Sequence, residues 1–496
     1  MYFSGSDSIY MGLSGEERIC LPLSMANRHG LISGASGTGK TVTMKVMAES
    51  FSDAGVPVFL CDIKGDVSGL IVPGEQNENM EKRIDRFGLR DTFRYRSYPV
   101  TFWDVYGEAG HPVRTTISDM GPDLLSRILG LTQAQQAALN IIFRIADDRG
   151  LILTDLKDLR SVIGFVNQHK AEYSSTYGNL ATVTLNTVLR SLMPLETQGG
   201  DLFFGEPALD INDFMRLDSE GHGMINLLDC TKLSLNPVLY STMLLWLMAE
   251  LYEKLPEVGD PEKPRMVFFF DEAHMLFTDT PRVLVQKIEQ VVRLIRSKGI
   301  GIYFVTQSPS DIPGIVLAQL SNRVQHALRA YTPAEQKAVR AAASTMRQNP
   351  DFDAETRISE LGVGEALVSF LDTDGTPEIV KDTKIICPQS LMAPADRYQI
   401  EECIANDGMS KYDEAVDNQS AFEDLNYLAE VEAQKAALEA EKAALEKEKA
   451  ALEKQKQKET AAAKKKTERR IAQIERQIIN TGFIMLRRGL LKILKK

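Results

Sequence analysis

Gly34, Gly39, Lys40 and Thr41 stand at the spacing G-x-x-x-x-G-K-[ST], within GASGTGKT. A glycine-rich turn lets backbone N–H groups converge on phosphate oxygens, and the N-terminus of a following helix adds favourable dipole charge. On this pattern Gly34, Ala35, Ser36, Gly37, Thr38, Gly39, Lys40 and Thr41 form a cradle for the phosphates of ATP. Lys40 is expected to reach the β- and γ-phosphates and Thr41 to coordinate Mg²⁺. The bland alternative is a chance glycine turn. The loop's place between an apolar strand pattern and a helical pattern is the context that a phosphate loop requires.

A second cluster supplies acids. Asp271 and Glu272 end the apolar run Val267–Phe270 in FFFDEAH. Asp271 is placed to hold Mg²⁺ through water, and Glu272 to take the proton of an attacking water. Taken alone, the pair could be solvated acids at a strand end. The tetrapeptide also occurs in DEAH-box helicases, but no Q-x-x-G-R-x-G-R motif follows it, and His274 is read as a packing residue. Gln307 ends IGIYFVT and could sense the γ-phosphate or orient water; a turn residue in TQSPSD is the alternative. Asp62, Lys64 and Asp66 close VFLCDIKGD, at the carboxyl end of a strand, where ligands gather in open α/β sheets. Arg293 and Arg323 are candidates for a charge-stabilising arginine donated to a neighbour's site, and Arg296 is a third. Arg293 and Arg296 lie three apart on one helical pattern, which also suits a solvated face.

These groups need a scaffold. Strand, glycine loop, helix and strand (Val56–Leu60) form the opening of an α/β P-loop domain. The pattern then divides. Residues 1–24 read as a short hairpin, and 25–74 as the first part of the core. The block 75–217 is a mostly helical insertion with two short strands, near Val100–Tyr106 and Thr115–Ile117. Within it Thr132 caps a helix whose buried face is Leu139, Ile142, Phe143 and Ala146. Residues 218–395 return to alternating strands and helices, as the second part of the core, predicting an α/β fold with a doubly wound parallel sheet. Residues 396–496 form a charged helical tail.

The 496 residues, 44% hydrophobic, suffice for a large core, and the formal net charge is −11. Five scattered cysteines argue against a disulfide framework or a zinc site and fit a reducing cytoplasm. The N-terminus lacks a signal-peptide pattern, and no apolar run is long enough to span a bilayer. Charge is uneven. Residues 458–496 hold twelve basic and three acidic residues, a net of +9, which leaves −20 on the other 457. An acidic body does not advertise nucleic-acid binding. In the tail, KAALEAE, KAALEKE and KAALEKQ place Leu438, Leu445 and Leu452 seven residues apart, as a coiled coil would; Lys442 and Lys449 at the a positions suit a single solvated helix equally. Ile471, Ile474, Ile478, Ile479, Phe483, Leu486, Leu490, Leu491 and Leu494 continue as an apolar stripe beside Arg487, Arg488, Lys492, Lys495 and Lys496. Such a helix suits an acidic protein surface, an anionic membrane or DNA.

LPLSMANRHGLISGASGTGKT, LCDIKGDVSGL, GGDLFFGEPALDI, FFFDEAH and RLIRSKGIGIYFVTQSPSDIP resemble the bacterial HerA-like ATPases of the HerA/FtsK group over about residues 10–395. The first and fourth segments are general to P-loop proteins; the other three are more specific. The resemblance implies a RecA-like core, a homo-oligomer in the form of a hexameric ring with ATP at subunit interfaces, and, by family analogy alone, DNA as a candidate track for a translocase. HerA itself carries an N-terminal β-barrel that docks a nuclease, and 24 residues cannot build one, which argues against a nuclease partner. The Ala/Glu/Lys repeat also departs from the subfamily's tail. Two other classes remain open: a protein-remodelling or scaffold ATPase that does not bind DNA, and an ATPase held at a membrane surface by its tail.

Overall fold

The computed structural model describes residues 1–277 and 282–493, without the side chains of 282–284 and 489–493. Two compact units are present, Met1–Phe422 and Glu423–Lys496. Twelve strands of the first unit make one sheet: β1 (Ser8–Ser14), β2 (Glu17–Pro22), β3 (Gly30–Ser33), β4 (Val58–Asp62), β5 (Val100–Asp104), β6 (His111–Pro112), β7 (Ile225–Asp229), β8 (Met266–Phe270), β9 (Ile300–Thr306), β10 (Asn322–His326), β11 (Glu365–Ser369) and β12 (Lys381–Ile385). Their order is β2-β1-β12-β11-β10-β3-β9-β8-β4-β7-β5-β6. From β10 to β6 every pairing is parallel, and from β2 to β10 every pairing is antiparallel.

The parallel part follows from composition. Strands β4, β8 and β9 are buried along their whole lengths. A strand covered on both faces reads as a continuous apolar run rather than an alternation, as MVFFF does. The order β3-β9-β8-β4 places β9 between the strand before the glycine loop and the strand before the acids. Register fixes the level of the ends. Ser33 pairs with Thr306, Phe270 with Phe304 and with Cys61. The residues following β3, β9, β8 and β4 therefore emerge along one edge of the sheet.

The structure departs from the sequence reading in four places. Residues 115–117 are not a strand: Thr115 makes an isolated bridge to Phe204, and a helix starts at Ile117, capped by the Thr116 side chain accepting from Asp119 N. Strands β5 and β6 fall inside the 75–217 block but extend the main sheet, separating the helix Glu78–Arg86 from the helices that run from Ile117 to Phe203. The hairpin of residues 1–24 joins that sheet through β12. The compact unit continues to Phe422 instead of ending at 395. The reason is local bonding: buried Asp158 accepts from Ser420 Oγ at 2.6 Å and Phe422 N at 2.9 Å. The expected helix capped at Thr132 is present as Gln133–Arg149, with Leu139, Ile142, Phe143 and Ala146 buried and Gly150 in the left-handed region (φ 69°) closing it.

His111 ties the same segment to β6. Its Nδ1 stands 2.6 Å from Asp413 and its Nε2 2.9 Å from Asp407, and the ring is 1% exposed. Arg114 lies beside Asp413 and donates to Tyr412 O at 2.7 Å. Burial disfavours the imidazolium, but the two carboxylates outweigh it and raise the pKa above the ordinary 6.5. A folded-state pKa above the unfolded value contributes stability that is complete below about 6.5 and is lost as pH rises through the folded value. Hydrogen exchange over 407–422 is therefore expected to quicken beyond its intrinsic rate as pH rises above about 6.5. His111→Gln should abolish that excess; an unchanged excess would rule out His111 as its source.

The second unit continues the helix Ala421–Ile493, of 73 residues, about 110 Å at 1.5 Å per residue. Leu438, Leu445 and Leu452 are about half exposed, as are Ile471, Ile474, Ile478, Ile479, Phe483 and Leu486 or more so. The side chains of Leu490, Leu491 and Lys492, and all of Leu494, Lys495 and Lys496, lie outside the described residues. No helix among the described residues is long and apolar enough to cross a membrane.

Candidate functional site

The glycine loop joins β3 to the helix Lys40–Asp53. That helix is held from its far side: Glu49, buried, accepts from Gln389 N at 2.8 Å, Ser390 N at 3.0 Å and Ser390 Oγ at 2.5 Å. The loop is pinned at both ends. Ala35 N donates to Ala327 O at 2.8 Å, and Gly364 N donates to Thr38 O at 3.0 Å. Thr38 Oγ1 donates to Ala35 O at 2.7 Å. Ser36 and Gly37 are exposed at the tip. Gly34 permits a close approach: a Cβ there would meet His326 Cβ at 2.5 Å.

Lys40 curls over this loop, its Nζ donating to Gly34 O at 2.7 Å and Ala35 O at 3.2 Å. Burial pushes its pKa down, and the nearby Lys64 adds to the fall against the pull of Glu272 and Asp271. Thr41 follows on the first turn, half-buried.

The acids leave β8 on the same edge. Asp271 is buried, and its Oδ2 has no hydrogen-bond partner. Burial pushes its pKa up to about 6, with the Glu272 charge adding to the rise and Lys64 opposing it. An unpartnered buried carboxylate oxygen is costly unless something cationic or donating meets it. A divalent cation coordinated by Asp271 and Thr41 fits that requirement, and both bring the hard oxygen donors that Mg²⁺ takes.

Glu272 stands in the left-handed region, φ 45° and ψ 48°, where a non-glycine residue is uncommon. Its Oε1 is 2.6 Å from Lys64 Nζ, and its Oε2 accepts from Gln307 Nε2 at 3.4 Å and lies 3.3 Å from His274 Nδ1. Burial alone would raise its pKa; the Lys64 hydrogen bond and charge, with His274 and Lys40, hold it below the ordinary carboxylate value. His274, read from sequence as packing, thus sits against the acid. Asp62 shapes the turn that delivers Lys64. Its carboxylate accepts from Lys64 N at 3.2 Å, Gly65 N at 2.7 Å and Val67 N at 3.0 Å. Burial raises its pKa to about 6.

Lys40, Lys64, Asp271, Glu272 and Gln307 therefore converge, while the arginines do not join them. Arg323 lies toward the other end of β10, paired in register with Leu31. Its Nε donates to Leu320 O at 3.0 Å and one Nη to Leu317 O at 3.1 Å. Arg293 is exposed on the helix Arg282–Ile295. Arg296 pairs with Asp260 at 3.0 Å.

His326 was not among the sequence candidates. It is buried at the end of β10; its Nδ1 donates to Glu365 O (2.9 Å), so its Nε2 accepts from Thr43 Oγ1 (2.9 Å). Burial lowers its pKa to about 4, so it is neutral and supports the loop from below. It lies 283 residues from Thr43 in the chain, and no local spacing signals the contact.

Similar folds are known. The bacterial conjugative coupling protein TrwBΔN70, in its unbound monoclinic form, has a TM-score of 0.52 at 14% identity, over 79% of this chain and 92% of that one. The plasmid coupling protein TrwB in complex with the non-hydrolysable ATP analogue ADPNP has a TM-score of 0.54 at 13% identity, over 79% and 92%. The same protein with ADP and Mg²⁺ has 0.52 at 13%, over 80% and 92%. These likenesses establish a shared fold. Comparison with curated proteins finds no match. The model of the family described as helicase HerA-like C-terminal matches residues 10–491. With nearly the whole chain matched, the protein belongs to the HerA-like helicase C-terminal family.

Proposed function

We propose that this chain is an Mg²⁺-dependent ATPase that assembles into a homo-oligomeric ring, with six subunits expected, and moves along DNA. The observation that carries the reading is the meeting of Lys40, Asp271 and Glu272 at one sheet edge, with Asp271 Oδ2 unpartnered. TrwB, of the same fold, is known in complex with an ATP analogue and with ADP and Mg²⁺. The P-loop residues Gly34–Thr41 bind the phosphates, and Lys40 moves from the loop carbonyls to the β- and γ-phosphates. Thr41 and Asp271 would hold Mg²⁺, which would supply charge neutralisation at the phosphates. Glu272 takes the proton of the attacking water as that oxygen bonds to the γ-phosphorus and the bond to the bridging oxygen of ADP breaks. Gln307 orients the water.

Membership of a helicase-like family supports DNA as the track. A ring would let one subunit's arginine complete a neighbour's site, and Arg293, exposed, is freer for this than Arg323, whose guanidinium is held by Leu317 and Leu320. Arg293→Ala is expected to lower turnover about tenfold or more while sparing nucleotide affinity. Full activity of a strictly monomeric enzyme in dilute solution would sink the ring. The direct test of function is ATP turnover with and without single- and double-stranded DNA, alongside the oligomer's mass. DNA-stimulated turnover by an oligomer is expected. One observation favours a second reading, a protein-remodelling or membrane-surface ATPase: the tail's apolar stripe is more than half exposed at Ile471, Ile474, Ile478 and Phe483. Turnover indifferent to DNA and stimulated by anionic vesicles or a protein partner would establish that reading instead.

A further inference from the structure

We propose that Lys64 is a positioning residue that latches Glu272 between turnovers, and that Asp66, two residues along the same turn, receives its ammonium when the base is released. The inference rests on the ATPase reading above. A base that accepts water's proton must turn a carboxylate oxygen toward that water. Here both oxygens of Glu272 are engaged: Oε1 by Lys64 at 2.6 Å, and Oε2 by Gln307 at 3.4 Å with His274 at 3.3 Å. The Lys64 contact is the short one and the only one of the three that carries a permanent charge, so it is the contact that restrains the side chain.

The two partners are built differently. The Glu272 side chain is 7% exposed and that of Lys64 43% exposed. Glu272 sits on a backbone held in the left-handed region, at the end of a strand buried along its length. Lys64 sits on a turn whose backbone is locked by three N–H bonds to Asp62, while its long stem reaches out at the rim. The lysine is therefore the member free to move, and its root stays put when it does. A second seat exists on that turn. Asp66 Oδ1 is buried with no hydrogen-bond partner, and the Asp66 charge already acts on Lys64. Swinging Lys64 from Glu272 to Asp66 would satisfy an orphaned acceptor and expose Oε1 to an incoming water.

Steady-state ATP turnover of the full chain tests this with Lys64→Met, Lys64→Arg and Asp66→Asn. Lys64→Met keeps the stem and removes the charge. Its basal kcat is expected to rise about fivefold or more with KM within about twofold of native, the signature of a change in the catalytic step and not in binding. Lys64→Arg restores a cation of similar reach and should return most of the restraint, which separates the latch from a packing role of the stem. Asp66→Asn weakens the second seat and should slow turnover about twofold or more. A Lys64→Met enzyme that turns over no faster than native overturns the latch and leaves the ATPase reading standing. Native turnover for Asp66→Asn overturns the second seat. If native protein and Lys64→Met are both indistinguishable from Lys40→Ala, the ATPase reading fails and the latch with it.

Discussion

Glu272→Gln protein is expected to bind ATP with near-native affinity and to hydrolyse it about 10²–10⁴-fold more slowly, the usual worth of a positioned general base. The substitution keeps the shape of the side chain and replaces an oxygen that accepts a proton with an amide that does not. It also removes the charge opposite Lys64 Nζ. Binding should survive because the cradle for the phosphates is built elsewhere, on β3 and the helix Lys40–Asp53, and is pinned by Ala327 O and Gly364 N. Single-turnover hydrolysis and equilibrium binding of a fluorescent ATP analogue separate the two effects. Native-rate hydrolysis by this variant would show that another group takes the proton. Asp271→Asn should behave differently. It removes charge from the buried carboxylate whose Oδ2 lacks a partner, so its defect should be relieved in part by raising the Mg²⁺ concentration.

What could be read from the chain depended on how far apart the interacting parts lie in sequence. The glycine loop and the acids after β8 were legible because each is a contiguous segment whose residues act together. Gln307 was legible as the polar end of an apolar strand, although its contact with Glu272 spans 35 residues. Lys64 on Glu272 required knowing that β4 lies beside β8, and His326 beneath the loop required knowing that β10 lies beside β3. Strand order is a property of crossovers, which no local pattern encodes. The antiparallel wing was hidden for the same reason: β1 pairs with β12 across nearly the whole core, so the hairpin was visible but not its place. The sequence division at 396 follows a shift in composition, whereas the first compact unit runs on to Phe422, where Ser420 and Phe422 are bonded to Asp158.

Lys40→Ala should abolish measurable ATP binding, with affinity falling about 10²-fold or more, since charge-assisted contacts to phosphate are among the strongest polar contacts a protein makes. The side chain now donates to Gly34 O and Ala35 O, so the loop is already folded around the ammonium before any phosphate arrives. The group is buried, and its neighbours are of both signs, Lys64 on one hand and Glu272 and Asp271 on the other. Removing it leaves the two acids with one cation, Lys64, to balance them, which makes the site repel a polyphosphate at the place where it should attract one. Truncation to alanine also removes the packing of the buried stem, and a loss of loop order could mimic a loss of charge. Lys40→Met resolves the ambiguity, because it keeps the stem's packing and removes only the charge and donors. Both variants should lose binding by isothermal titration while unfolding at a temperature within a few degrees of native. ATP affinity retained by Lys40→Met within about threefold of native would mean that the ammonium is not the principal partner of the phosphates.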